Sequence, residues 1–145
     1  MMPEGVVVKQ VEYHDLPEVW DTIEPLYEEV IVNGYAVPQL SSYIPIFQRG
    51  HAQLWIGKLG EEIVGMMITE LVDLPSGRIA RILALASHAM RDLKAYQTTF
   101  ELWASVNGAG ALEAICSDKL LAVHARYGFE KVANVIRKGL GKEMH

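Results

Sequence analysis

Apolar positions change period several times along the chain, and each change marks an element. GVVVKQV, residues 5 to 11, is β-branched and apolar and predicts a strand. Asp15 then offers a helix N-cap, with Pro17 in the first turn and Glu18 at the capping-box position. Leu16, Val19, Trp20, Ile23, Leu26, Tyr27, Val30 and Ile31 follow at spacings of three and four, the stripe of a helix packed on a core. Pro25 sits inside that stripe and predicts a kink or a break into two helices, because proline donates no backbone hydrogen bond and crowds the preceding turn. After the loop NGYAVPQ, a short helix is expected around Ser41 to Gln48.

AQLWIGKLGEEIVGMMITELVD reads as two strands about a tight turn near Leu59 to Glu61, and LPSGR turns the chain into a third strand, RIARILALA. From residue 88 to 106 the stripe of Ala89, Leu93, Tyr96, Phe100, Trp103 and Ala104 predicts a second long helix, stopped by Asn107 and Gly108. ALEAICS is expected to be a fully buried strand, SDKLLAVHARYG a helix capped by Ser117 or Asp118, and FEKVANVIRKGL a final strand. A strand meander followed by a βαβ return predicts an α/β layer fold with a mixed sheet, in a single domain over residues 1–145.

Composition narrows the function classes. Half of the residues are hydrophobic, enough to bury a core, and the formal net charge of -5 argues against a broad nucleic-acid surface. The single cysteine, Cys116, excludes an internal disulfide and fits a reducing compartment, so a cytoplasmic location is expected. The five histidines show no metal-ligand spacing, so no metal is expected, and no apolar run has the length of a membrane span.

ARILALASHAMRDL, residues 80 to 93, is the junction with most chemical interest: a strand running into a helix. A helix N-terminus offers unsatisfied N–H donors and the positive end of the helix dipole, a ready anion site. This junction contains no glycine. The N–H groups of residues 88 to 91 could face a pyrophosphate with Arg91 and His88 screening its charge; alternatively Ser87 is an ordinary N-cap, Asp92 complements the dipole and Arg91 is solvated.

The element order, with GEEIVGMM as a hairpin strand and HARYGFEKV as a helix, Gly-Phe turn and strand, resembles the GNAT-type N-acetyltransferase superfamily from about Val6 to Leu140. The resemblance implies a mostly antiparallel mixed sheet flanked by helices, and acetyl transfer from acetyl-CoA to the amine of a small molecule or protein. ILALA matches the strand that lines the coenzyme, which implies contacts from Leu83, Leu85, Ser87, His88 and Arg91; Ala86 and Ser87 stand where the family has valine and proline. The tyrosine that commonly protonates the departing thiolate is replaced by His124, counting back four residues from Gly128. Tyr127 is expected to pack in the core. A base is expected from Glu70, with Glu113 as the alternative. Tyr35, Tyr43, Ile44, Phe47 and Trp55 would line an acceptor groove, or else a core or dimer patch. The stretch LEAICSDKLLAVHARYGFEKVANVIRKGL also resembles small GNAT-like proteins of phages and prophages. That resemblance implies the alternative of a catalytically degenerate fold kept for assembly, with a virion location and a phage or homodimer partner.

Overall fold

The alternating apolar strands assemble into one five-stranded sheet with helices on both faces. In this computed structural model the described residues are 5–32, 39–88, 93–114, 124–126, 128–132, 136 and 138–141. In chain order they form β1 (Val7–Val11), α1 (Leu16–Val32), α2 (Ile44–Gln48), β2 (Gln53–Leu59), β3 (Glu62–Leu74), β4 (Gly77–Ser87), α3 (Leu93–Val106) and β5 (Ala109–Ala114). The strands lie side by side in chain order; β1 to β4 are antiparallel and β5 runs parallel to β4. Only the parallel step needs a crossover, and α3 supplies it. The expected mixed, mostly antiparallel α/β architecture is present.

Alternation along the strands divides the core in two. Leu54, Ile56, Met66, Ile68, Ala84 and Ala86 meet Ile23, Leu26 and Tyr27 of α1 and Tyr43 and Phe47 near α2. On the opposite face, Trp55, Met67, Ala80 and Ile82 meet Tyr96, Phe100 and Ala104 of α3. Each large apolar side chain removed from water contributes about 1.5–3 kcal/mol, so neither helix needs strong intrinsic propensity to stay in place.

Several expectations need correction. α1 is not broken into two helices at Pro25: Pro25 and Asp21, whose carbonyl loses its partner, are both exposed, while Ile23, Leu26 and Tyr27 remain anchored in the core. Asp15 does stand directly before Leu16, the first residue of α1, at the end of a 3-10 turn, Tyr13–Asp15. Ser87 ends β4 and His88 is a bend, so neither belongs to the helix expected from residue 88; α3 is described from Leu93, and residues 89–92 lie outside the described set. β5 is not fully buried: it is an edge of the described sheet, with Gly110 and Ala111 exposed. Described residues 129–132 and 138–140 form no strand.

The Gly-Phe turn takes the expected form. Gly128 has φ of 91°, its N–H bonds to Ala125 O at 3.3 Å, and the Phe129 N–H reaches His124 O at 3.4 Å. This is a Schellman-type helix stop, in which the left-handed residue is most cheaply glycine.

Candidate active site

β4 is the strand on which most of the expected contacts lie, and it is irregular. Its register with β3 passes from Thr69–Ile82 to Ile68–Ala84, leaving Leu83 as an extra residue. A bulge of this kind reverses the alternation. Thus Ala80 and Ile82 face α3, whereas Ala84 and Ala86 face α1, with Leu83 packed beside them and Leu85 on the α3 side. The described pairing with β5 ends at Ile82–Ala114, although β4 continues to Ser87. Residues 115–123, and with them the relation of β4 to the chain after Ala114, are outside the described set.

At the end of β4 the His88 N–H donates to Val64 O at 2.9 Å, which commits that donor to the sheet. The His88 side chain turns toward α1, with Nε2 3.5 Å from Glu29 Oε1, and is largely exposed. Ser87 is half-buried and accepts a long contact of 3.4 Å from the Tyr96 hydroxyl. Arg91, together with Ala89, Met90 and Asp92, lies outside the described residues.

The two carboxylates named as base candidates prove to share one partner. Glu70, Arg81 and Glu113 are in register straight across β3, β4 and β5. Arg81 Nη1–H donates to Glu70 Oε1 at 3.2 Å and its Nε–H to Glu113 Oε1 at 3.0 Å. Each side chain is roughly a quarter to a third exposed: 29% for Glu70, 26% for Arg81 and 34% for Glu113. Strand alternation puts Glu70 on the α1 face, where its charge acts on Tyr43. Burial is the main reason that the Tyr43 phenol is pushed up, and the negative charge of Glu70 adds to it. Burial also raises Tyr27, which donates a hydrogen bond to Tyr43. Tyr43, Phe47 and Trp55 are all core residues; Trp55 faces α3 and not the α1 side. Tyr35 lies outside the described residues.

His124 is buried in the α3 layer. Gln97 Nε2–H donates to its Nδ1 at 3.1 Å, and its ring packs edge-on against Phe129 with centroids 5.4 Å apart. Accepting at Nδ1 leaves the proton of the neutral ring on Nε2. Burial lowers its pKa, so the charged form is disfavoured at neutral pH. His124 and Glu70 are therefore on different layers. Cys116 and Tyr127 lie outside the described residues, and no group of metal-ligating side chains exists among the described ones. Among the same residues, no helix is long and apolar enough to cross a membrane.

Arg81, Gly57 and Gly65 escaped the sequence reading. Arg81 is a lone cation inside the apolar run IARILALA, residues 79 to 86, a signal that a partner waits across the sheet. Gly57 and Gly65, mid-strand in β2 and β3, mark a close approach of another group, here Tyr96.

No protein-family model matches the sequence. No curated protein matches it either. Solved structures do match over nearly the whole chain. An aminoglycoside N-acetyltransferase in complex with coenzyme A aligns with a TM-score of 0.72 at 16% identity, covering 98% of this chain and 100% of the other. A predicted acetyltransferase from Clostridium acetobutylicum with acetyl-CoA gives 0.71 at 12% identity, covering 97% and 99%. A GNAT family acetyltransferase of Staphylococcus aureus gives 0.65 at 15%, covering 94% and 99%. The chain therefore has the fold of the GNAT acetyltransferase superfamily.

Proposed function

We propose that this protein is an acyl-CoA-dependent N-acyltransferase that moves an acetyl group to an amine. The observation that carries this reading is the end of β4, which bulges at Leu83 and runs to Ser87. Leu83 and Leu85 offer apolar contact to a pantetheine arm on either side of the strand, and Ser87 offers a hydroxyl at its end. The structures of the same fold that carry coenzyme A or acetyl-CoA support the choice of donor.

Acetyl-CoA would supply the acetyl group as a thioester. Glu70 is the favoured base. As the amine nitrogen bonds to the carbonyl carbon it becomes positively charged and acidic, so an ionised carboxylate suffices to take its proton. The carbon–sulfur bond breaks, and the thiolate, whose conjugate acid sits near ~8.5, takes up a proton from solvent. Arg81 holds Glu70 in place through Oε1. His124, neutral and packed between Gln97 and Phe129, is assigned to the fold and not to proton delivery. The acceptor is an amine-bearing small molecule or protein.

A second reading, a noncatalytic fold kept for assembly, is favoured by the His88 N–H, which the sheet has already taken. Calorimetric titration with acetyl-CoA separates the two. Binding by the wild type that is lost in Arg91→Glu supports the transferase; no binding up to millimolar coenzyme sinks it.

A further inference from the structure

The geometry points to Tyr96 as the positioning residue for the coenzyme contacts at the end of β4, seated there by Gly57 and Gly65. This inference rests on the transferase reading above. Tyr96, in the first turn of α3, is fully buried. Gly57 of β2 and Gly65 of β3 are direct cross-strand partners, and a Cβ at either one would overlap the Tyr96 hydroxyl. A Cβ on Gly65 would also lie 2.8 Å from Ala86 O and 3.0 Å from Ser87 Cβ, so the end of β4 closes on the same spot. The hydroxyl points at Ser87 Oγ from 3.4 Å. Leu85, the other proposed contact on this face, packs in the same cluster as Tyr96.

One phenol head therefore meets β2, β3 and β4 together. A phenylalanine would fill the apolar part of this site as well, and the overlap at Gly65 involves only the hydroxyl among the atoms of Tyr96. Glycine within a strand weakens it, because it loses more chain freedom and packs no side chain. Paired glycines here make sense for an atom that must sit beyond the ring. Bound to Ser87, that atom fixes the serine rotamer and the strand end it belongs to; such contacts are commonly long without ligand and shorten with it. The junction that follows has no glycine of its own, and the glycines of this region lie under the tyrosine.

The test is acetyl-CoA affinity by calorimetry for wild type, Tyr96→Phe, Ser87→Ala and the double variant, with circular dichroism to confirm folding. Tyr96→Phe is expected to weaken binding by roughly three- to tenfold, the loss of one ordinary hydrogen bond. The double variant is expected to lose less than the product of the two single losses, since the two side chains share a contact. Unchanged affinity in Tyr96→Phe overturns the inference, as do losses that multiply in the double variant. A Tyr96→Phe chain that does not fold also overturns it, because the hydroxyl then serves the fold. A wild type that binds no acetyl-CoA removes the transferase reading and this inference with it, an outcome distinct from wild-type binding that ignores Tyr96.

Discussion

On the α3 face of the sheet, Phe100 stacks on Trp103 and meets the edge of Trp55, with centroids 5.9 and 6.0 Å apart. Its polar atoms are matched internally: Trp55 Nε1–H donates to Thr69 Oγ1 at 2.9 Å, and the Thr69 hydroxyl to Gln53 Oε1 at 3.0 Å. The α1 face starts similarly, with Tyr27, Tyr43 and Phe47 in contact, but Glu70 and its partner Arg81 adjoin it, joined to Glu113 and open to water. The difference assigns the labour. The aromatic face fixes backbone positions, and the partly solvated charged face leaves its carboxylates open to water.

Substitutions should separate the faces by the quantity they change. Phe100→Ala is expected to have the largest effect on folding, a loss of about 3–5 kcal/mol in urea unfolding, with turnover per folded molecule nearly unchanged. Glu70→Gln should do the reverse. On the proposed role of Glu70 as base, its removal is expected to lower kcat by about 10² or more, whereas a partly exposed ion pair contributes only about 0–1 kcal/mol to stability. If Glu70→Gln unfolds the protein and leaves kcat alone, the charged face is scaffolding. Glu113→Gln would then be compared in the same assay.

A smaller effect sharpens the α3 side. Gly57→Ala puts a methyl group into the Tyr96 ring, an overpacking expected to cost about 1–3 kcal/mol. Gly110→Ala in β5 is the control, since its nearest outside neighbour is Arg78 O at 4.0 Å, and its effect should stay within about 0.5 kcal/mol. Equal thermal midpoints for the two variants would mean that the tyrosine is not tightly seated.

What the sequence revealed follows the same division. Period-two and period-three-to-four patterns located the strands and helices because burial alone produces them, and the hairpin turns near Gly60 and Gly77 carried their own glycines. Pro25 does not break α1, because local propensity is overridden by the packing of Ile23, Leu26 and Tyr27. The candidate site was harder to read because it depends on register. Glu70 and Glu113 are 43 positions apart in sequence, and only the ladder through Arg81 makes them neighbours. The bulge at Leu83 turns β4 over midway, which no simple alternation within RIARILALA announces. Tyr96 looked like one more core residue on a helical stripe, and its hydroxyl gained meaning only from two glycines on other strands.

The smallest expected effect decides what His124 does. Burial between Gln97 and Phe129 lowers its pKa in the folded chain, while in the unfolded chain an imidazole takes its proton near ~6.5. Between those two values the unfolded state binds more protons than the folded one, so stability rises with pH across that window. The contribution is fully present above about pH 6.5 and is lost as pH falls through the lowered folded value, with a slope of at most about 1.4 kcal/mol per pH unit for one proton. Urea unfolding of the wild type at pH 7.5 and 5.5 should therefore show acid weakening, and His124→Gln, which cannot titrate, should show less of it. Equal pH dependence in the two proteins would mean that the folded site accepts a proton as readily as water does. His124 would then be able to carry the charge that a proton donor to a departing thiolate needs, and its role as packing alone would fail.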